Sequence, residues 1–516
     1  MVWAMTANQK DVPLKQSALP TGEERRAMGQ ARRKQVKRQQ HALWDVKLRK
    51  NDPLQLLAES MNGRVPELVP IKYERMLASP FGFFRGAVPV MASDLSLVRN
   101  TGILNQICGD AHVRNLGAYA GPDGRLVFDI NDFDETVRAP FEWDLKRLAT
   151  SLILAAREAG DREAVAKIAV QAFLACYHKA VRSFSAMPVL EVARYQVHRL
   201  LKVQPLDGVL RKAERSTPQH TLEALTVASG NGRIFKENKP VLWRLSAEEA
   251  RPVLASLVEY RKSLLPERQH ILDQYRAVDV CFKVVGTGSV GTRDYCVYLE
   301  GNGQQDPLFL QVKEEPGSAY LPYVARAAKV HCGRAVAEGQ RAMQMQSDPF
   351  LGWTTLDGRQ YLVRQLNDHK ASIEVADLKG EGLIAYAVLC GELLARGHAR
   401  SGDVQMIAGY MGVGDGFLQA LAKFAVAYAN QTEKDWESLK KARGVKAKAA
   451  TGQVAAKQAP TKQAAPKQAV AKQAVVKQVA AKQAPTKQAA PKQAVAKQAG
   501  VKQAAAKQTV GKQAAK

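Results

Sequence analysis

Apolar residues recur along this chain at two different spacings, which predict two different kinds of element. In residues 142–157 they return every three or four positions, as on one face of a helix, and residues 383–396 and 417–428 share this spacing. Residues 126–130 instead alternate as a strand does. Because both spacings occur in one chain, the sequence predicts an α+β fold.

A second group of strands is separated by glycine-containing loops. Short β-type runs at residues 280–285, 294–299 and 308–313 flank the loop Gly286-Thr-Gly-Ser-Val-Gly291, and a helix is expected over residues 325–347. Since these glycines join two strands, they predict a β-meander with a kinase-type glycine-rich loop. In a dinucleotide-binding unit the glycines open a helix instead.

The elements group into five segments along the chain. Residues 1–50 are polar and basic, and they predict a solvated helix or a partly disordered N-terminal arm. The remaining segments are a mostly helical lobe, a β-rich lobe, a helical return to the first lobe and a repetitive tail, at residues 51–270, 271–375, 376–440 and 441–516.

Positive charge is concentrated at the C-terminal end. The 516-residue chain has a formal net charge of +26; residues 441–516 contain 16 Lys, one Arg and no acidic residue, which leaves +9 for residues 1–440. In this segment twelve Lys-Gln pairs recur every five residues. It lacks the apolar content for a core, so it is predicted to be disordered. It is either a solubilising tail or a sequence-independent binder of nucleic acid or another polyanion.

Cysteine usage and hydropathy favour a cytoplasmic location. The six cysteines form no C-x-x-C pair, so neither a zinc site nor a disulfide framework is indicated. The N-terminus shows no signal-peptide core, and no run approaches the roughly 20 apolar residues that cross a bilayer. We therefore expect a soluble cytoplasmic protein that does not associate with membranes.

The candidate chemistry lies near the end of the first predicted strand. Asp110, His112 and Asn115 have the spacing D-x-H-x-x-N, and Asp132 and Asp134 follow the strand. Phosphoryl transfer needs a carboxylate to orient the attacking hydroxyl and oxygen ligands for Mg²⁺, and this set can supply both. In the simpler alternative the first Asp and the Asn cap turns, and the later acids face solvent.

An aromatic cluster, Phe81-Gly-Phe-Phe-Arg-Gly86, carries one arginine between Phe84 and Gly86. Aromatic residues at this density are typical of core packing. Arg85 could alternatively present its fork of donors to a phosphate, which makes it a candidate catalytic residue.

These motifs resemble those of the aminoglycoside phosphotransferase and choline kinase group of kinase-like enzymes. The resemblance rests on residues 109–115 and 130–134. It implies ATP and Mg²⁺ as cofactors, Asp110 as the catalytic base, and Asn115 and Asp132 as metal ligands. It also implies a structural role for the Asp of the helix that follows, Asp144.

The same resemblance assigns the glycine-rich loop to the nucleotide. It implies that three glycines cover the phosphates, and that a Lys paired with a Glu contacts them: Gly286, Gly288, Gly291, Lys313 and Glu338. In that group the loop and the Lys precede the catalytic Asp, whereas here they follow it by about 175 residues. The resemblance therefore implies a circularly permuted, kinase-like two-lobe fold, which is possible where the original termini lie close together.

Most of the chain is also similar to an uncharacterised bacterial family, domain of unknown function 2252. This similarity spans roughly residues 50–440 and rests on specific stretches at residues 75–86, 108–115, 128–135, 339–344 with 348–353, and 398–403. It implies a family but no activity.

Three functional hypotheses follow. The leading one is an ATP- and Mg²⁺-dependent phosphotransferase acting on a small molecule that the sequence does not identify. The second is a metal-dependent hydrolase that uses the Asp/His cluster, and the third is a non-catalytic pseudokinase that binds polyanions through its tail. Asp134 is taken as a third metal ligand, and Asp129 and Asp403 are rival acids for these positions.

Overall fold

The mixture of helices and antiparallel sheet confirms the α+β class. The computed structural model describes residues 19–197, 204–230, 232–324, 330–366 and 370–444. These residues all belong to one compact unit, Met1–Lys448. The predicted tail lies outside the described residues from position 445 onward, so its disorder and its binding of polyanions stay predictions.

The described residues form both short connecting α-helices and long core α-helices. In chain order they are α1 (Gly22–Gln35), α2 (Pro53–Glu59), α3 (Val69–Leu77), α4 (Pro80–Gly86), α5 (Val88–Leu97), α6 (Glu142–Glu158), α7 (Glu163–Ala186), α8 (Val189–Arg194), α9 (Gln204–Arg215), α10 (Pro218–Leu225), α11 (Ala247–Lys262), α12 (Pro266–Leu272), α13 (Cys332–Met343), α14 (Gly380–Ser401), α15 (Val404–Met411) and α16 (Gly416–Ala442).

The strands form one large sheet and three small ones. They are β1 (Leu104–Ile107), β2 (Leu116–Ala120), β3 (Leu126–Ile130), β4 (Val137–Pro140), β5 (Thr226–Ser229), β6 (Gly232–Phe235), β7 (Leu242–Arg244), β8 (Arg276–Lys283), β9 (Asp294–Glu300), β10 (Pro307–Glu314), β11 (Gly352–Leu356), β12 (Arg359–Gln365) and β13 (Ala371–Ser372). The large sheet has the order β11-β12-β10-β9-β8-β7, and the small sheets are β1-β4, β13-β2-β3 and β5-β6.

The predicted β-meander is confirmed, because β8, β9 and β10 are consecutive antiparallel neighbours in the large sheet. The sheet begins earlier than the predicted boundary at residue 271, since β7 pairs with β8 along its edge. Helix α11 covers one face, where Val253 and Tyr260 pack against strand residues such as Val297.

The helical core is built around α6, whose residues from Glu142 to Ala156 are all buried. Its neighbours are α7, α14 and α16, which carry the wide apolar stripes that the spacing predicts. Helix α14 lies close along α7, where a side chain at Gly391 would overlap the carbonyl oxygen of Phe173. Within the described residues, no helix combines the length and the apolar character that crossing a membrane requires.

From residue 19 onward the basic N-terminal arm contains a helix, which is one of the two predicted alternatives. Helix α1 begins with a capping box at Thr21 and is largely solvated, since Gly29, where it crosses α15, is its one buried residue. At the crossing, side chains at Gly29 and Gly409 would overlap the backbones of Met406 and Arg26. The glycines therefore permit a helix contact that composition alone does not reveal.

Two predicted helical regions differ in the structure. Within the mostly helical lobe predicted at residues 51–270, the structure also has the short strands β5, β6 and β7, which form a hairpin and an edge strand of the large sheet. Of the helix expected over residues 325–347, residues 325–329 lie outside the described residues, and the described part forms the helix Cys332–Met343, whose start is capped by His331 through a hydrogen bond from the Arg334 amide.

Candidate functional site

A cleft lies between the segment of β1 to β4 and the loop that joins β8 to β9. Its cavity volume is about 80 Å³, which is smaller than the roughly 300–1,000 Å³ of typical small-molecule sites. Its lining brings together most of the candidate residues: Arg85, Asp110, His112, Asn115, Asp132, Asp134, Gly286, Gly288 and Lys313, together with Arg64, Val88, Glu135, Thr287, Ser289, Thr292, Glu314, Glu315, Pro316 and Gly317.

The loop before Asp110 is held in place through hydrogen bonds from its backbone amides to Asp144. Asp144, at the start of α6, accepts hydrogen bonds from the amides of Cys108 and Gly109 at 2.9 and 3.0 Å. Gly109 has φ +80°, and a side chain there would overlap the carbonyl oxygen of Glu135. The turn therefore requires glycine, and the structural role expected for Asp144 is to fix this turn.

Asp144 contacts His398 of α14, and His398 in turn contacts Tyr177 of α7. His398 Nε2 lies 3.2 Å from Asp144 Oδ2, and the Tyr177 hydroxyl lies 2.8 Å from His398 Nδ1. All three residues are buried in the helical core. The 398–403 motif thus contributes to the support of the loop that carries Asp110.

Asp110 projects into the cleft with one oxygen already engaged. Arg147 of α6 contacts Asp110 Oδ1 through Nε at 2.7 Å and a terminal nitrogen at 2.6 Å. Asp110 Oδ2 faces His112, whose Nε2 lies 3.6 Å away. One oxygen therefore anchors the carboxylate, and the other is available to a substrate hydroxyl.

His112 is a neutral positioning group. Burial lowers its pKa to about 3, since the Asp110 charge only partly offsets the desolvation. The backbone amide of Arg114 donates to His112 Nδ1, so Nε2 carries the ring proton and points towards Asp110. His112, a candidate catalytic residue from its place in the D-x-H-x-x-N motif, is thus positioned to orient Asp110.

The three candidate metal ligands all line the cleft. Asn115 donates its amide hydrogen to the Asp110 carbonyl, which leaves its side-chain oxygen for a ligand. Asp132 and Asp134 each keep one buried oxygen that meets no donor in the described part of the chain. No group of three or more His, Cys, Asp and Glu residues there is arranged to hold a metal ion by itself. This set of few hard oxygen donors fits Mg²⁺, which completes its shell with water and phosphate.

Lys313 of β10 contacts Asp134, not Glu338. Its ammonium group donates to Asp134 Oδ2 and lies 3.8 Å from Glu315. Glu338 instead pairs with Arg334 at 2.8 Å on the exposed face of α13. The predicted pairing of Lys313 with Glu338 is therefore wrong. The face of the large sheet that carries Lys313 is turned towards Asp134, which follows β3.

The Lys313–Asp134 pair is strongly stabilised in its charged form. Burial alone would raise the pKa of Asp134, but the charges of Lys313 and Arg364 outweigh it and hold the pKa below its ordinary value. Burial alone would lower the pKa of Lys313, but the neighbouring carboxylates outweigh it and raise this pKa above its ordinary value. A cation and an anion thus remain together inside the cleft.

The glycine-rich loop contacts this pair. Ser289 donates to Asp134 Oδ2 at 3.1 Å, and Gly286 has φ +62°. Lys72 and Arg75 of α3 donate to the carbonyls of Gly288 and Gly286, respectively. Helix α3 therefore holds the loop from outside the cleft.

Gly291 lies at the base of the loop and not in the cleft lining. Its carbonyl accepts a hydrogen bond from the Val65 amide at 2.7 Å, and a side chain at this position would crowd Arg64. Of the three predicted phosphate-covering glycines, only Gly286 and Gly288 line the cleft.

Arg85 is one of the cations that line the cleft. Its Nε–H is buried and meets no acceptor in the described part of the chain. Burial lowers its pKa to about 10, so the guanidinium remains charged. A charged group that lacks a partner in this position is suited to an anionic ligand.

The two rival acids have structural roles. Asp129 of β3 is fully buried and forms an ion pair with Arg396 of α14. Asp403 caps α15 through the amides of Gln405 and Met406, and it lies 3.3 Å from Arg25. Neither replaces an assigned metal ligand.

Sequence reasoning missed Arg147, Glu135 and Glu315 as members of the site. Glu135 directly follows the acidic run, and Glu315 lies two residues after Lys313, so their proximity in sequence was an available signal. Arg147 lies on α6 one helical turn after Asp144, but its contact with Asp110 depends on how the helix packs under the loop.

Glu135 is expected to make the protein less stable as the pH rises from about 5 to 7. Burial raises the pKa of Glu135 from its ordinary 4.5 to about 7, so in this range the folded state holds a proton that the unfolded state has lost. The free energy of unfolding should therefore fall with pH, by roughly 1–3 kcal/mol from this group.

Urea unfolding of wild type and Glu135→Gln at several pH values measures this contribution. The variant keeps the acceptor for the Ala319 amide, and its stability should decline less with pH. Glu67→Gln, at an exposed position, serves as the control and should follow wild type. Parallel curves for Glu135→Gln and wild type would show that Glu135 does not titrate in this window.

Comparison with known proteins identifies the family. No curated protein and no solved structure matches the chain. A family model described as "uncharacterized protein conserved in bacteria", DUF2252, matches residues 64–442. This range contains the cleft, the large sheet and the helices that support them. Because the match covers well over half of the sequence, the chain belongs to the DUF2252 family of bacterial proteins.

Proposed function

We propose that the cleft binds ATP with Mg²⁺ and transfers a phosphoryl group to a small-molecule acceptor. The observation that carries the proposal is the meeting of two distant parts of the sequence. The acidic motif and the Lys of β10, which are 179 residues apart, are in direct contact through Asp134 and Lys313. The glycine-rich loop lies over the same pair.

Each part of the cleft has a role in this chemistry. Asp110 accepts the hydrogen bond of the attacking hydroxyl through its free oxygen, while Arg147 fixes its position. Asn115, Asp132 and Asp134 hold Mg²⁺, which supplies charge neutralisation for the phosphate oxygens when bound. The backbone amides of the loop, with Lys313 and Arg85, bind the remaining phosphate charge; these two cations line the same cleft.

A permuted two-lobe arrangement is part of the proposal. The large sheet provides the loop and the Lys, and the helical body provides the acids. After the sheet, β13 pairs with β2 beside the acidic motif, with Ala371 opposite Ala118. Helix α14 then packs along α7 within the helical body. After the sheet, the chain therefore comes back beside the acidic motif, which lies earlier in the sequence. A circular permutation of a two-lobe fold needs this proximity.

The test is thermal unfolding of the full chain with and without ATP and Mg²⁺. At ATP concentrations about 100-fold above the dissociation constant, binding should stabilise wild type by about 2.7 kcal/mol, and chelation of Mg²⁺ should remove the effect. Asp132→Asn and Lys313→Ala should both lose it, since they remove a metal ligand and the phosphate contact.

Two controls separate the cleft from the rest of the chain. Lys262→Ala removes an exposed lysine, 64% exposed, and should retain the full stabilisation. The C-terminal lysines are present in every variant, so any ATP binding by the tail cancels in the comparison. Equal stabilisation of wild type and Asp132→Asn would refute the proposal.

A further inference from the structure

The face of the large sheet that carries Lys313 continues in polar side chains. Gln311 lies two positions earlier on the same face of β10. Its amide donates to Asp294 of β9 at 2.7 Å, and its oxygen accepts from Arg364 of β12 at 2.9 Å. Asp294 and Gln311 are only 2% and 3% exposed. The three side chains thus fill the surface next to Lys313 with a buried hydrogen-bonded row.

The apolar part of the same face is closed by the chain itself. Beyond the polar row, sheet residues such as Tyr298 and Phe309 form an apolar cluster. Leu222 of α10 and Phe235 of β6 cover it, and each is 1% exposed. The Phe235 ring centroid lies 6.0 Å from that of Phe309 and 6.3 Å from that of Tyr298. This surface is therefore occupied and cannot receive the ring of a ligand.

Few residues of the cleft lining are apolar by type. Apart from glycines, its described residues are charged or polar except for Val88 and Pro316. A planar base gains affinity by burying apolar area or stacking on an aromatic ring, and the described lining contains no aromatic ring except the His112 imidazole. The lining cations Arg64, Arg85 and Lys313 instead suit phosphate groups.

A second cavity, of about 50 Å³, includes Asn131, the neighbour of Asp132, in its lining. The other lining residues are Tyr119, Ala120, Gln340, Gln344, Asp348, Arg364, Gln365 and Lys370. Arg364 contacts Gln311 and also approaches the carbonyl of Asn131 at 3.5 Å. The one aromatic residue among the lining residues, Tyr119, donates its hydroxyl to the carbonyl of Gln346. Cationic and amide groups thus make up most of this lining as well.

From these observations we infer that the cleft recognises its donor by the triphosphate and not by the base. Nucleoside triphosphates with different bases, and inorganic tripolyphosphate, bind with similar affinity when Mg²⁺ is present. The inference rests on the proposed function, since it concerns the donor of that same site. Its physical basis is that the polar row and the covered cluster occupy the surface that a base would need.

The experiment is isothermal titration of the full chain with ATP, GTP, inorganic tripolyphosphate and adenosine, each with Mg²⁺. Asp132→Asn is titrated in parallel, and binding that it retains is assigned to groups outside the cleft, including the lysine-rich tail. For the Asp132-dependent binding we expect dissociation constants of the three triphosphates within about fivefold of one another. Adenosine, which carries the base without phosphate, should show none.

The outcomes distinguish this inference from the proposal beneath it. Asp132-dependent binding of ATP more than tenfold tighter than that of GTP and tripolyphosphate overturns the inference and leaves the phosphotransferase proposal standing. Asp132-dependent binding of adenosine overturns it as well. If none of the triphosphates shows an Asp132-dependent component, the proposed function fails, and the inference fails with it.

Discussion

Replacing Asp110 with asparagine is expected to reduce phosphoryl transfer by at least about 100-fold without unfolding the protein. Asparagine has the same shape, and its oxygen can still accept from Arg147, so the loop should keep its position. In the proposed reaction, the variant lacks the negative charge that would orient the attacking hydroxyl and accept its proton. Because Asp110 does not contact Lys313 or the glycine-rich loop in the structure, the affinity for the donor should change little.

The measurement is Mg²⁺-dependent formation of ADP from ATP, with water as the acceptor. The turnover number should fall while the Michaelis constant stays within a few-fold. Asp123→Asn is the matched control, because Asp123 lies in the exposed turn between β2 and β3 and pairs only with its neighbour Arg125. Full turnover in Asp110→Asn would remove Asp110 from the catalytic residues.

The second large effect is expected on stability, at a buried triad far from the cleft. Arg49 makes paired hydrogen bonds to Asp94 of α5 and Asp435 of α16, at 2.7–2.9 Å. The three side chains are 9%, 3% and 8% exposed. Arg49→Met leaves two carboxylates buried without a counter-charge, so it should lower the free energy of unfolding by about 3–5 kcal/mol.

Urea unfolding gives this difference directly. Arg211→Met is the matched control, because the Arg211–Asp207 pair is 70% and 65% exposed and should contribute less than about 1 kcal/mol. Adding Asp94→Asn to Arg49→Met should recover part of the loss, since it removes one uncompensated charge. A loss in Arg49→Met no larger than that in Arg211→Met would contradict this account.

The elements were largely predictable because their signals are local. The alternation at β3 and the helical spacing of α6, α14 and α16 follow from which side chains must be buried. The short strands β5 to β7 escaped prediction because a strand of three or four residues depends on the sheet edge it joins more than on its own composition. The contact of α1 with α15 depends on a helix crossing at Gly29, which no local pattern signals.

The sequence was sufficient to predict which residues lie in the candidate site, but not which of them contact one another. Asp110, Asn115, Asp132 and Lys313 line one cleft as the motifs suggested. The sequence could not decide which of several acids reaches Lys313, because Asp134 and Glu315 approach it through the packing of the sheet over the strand ends. The anchoring of Asp110 by Arg147 has the same origin, since it requires the position of α6 in three dimensions.

The contact between His398 and Asp144 has a consequence for the order in which the protein matures. The Asp110 loop is fixed by Asp144, and Asp144 is fixed by a histidine 254 residues later. During synthesis the ribosome must therefore complete α14 before the loop acquires its final support. Contacts of such long sequence separation form late and slow the folding reaction. A nascent chain ending before residue 398 should thus carry every candidate metal ligand in its sequence and still lack an assembled site.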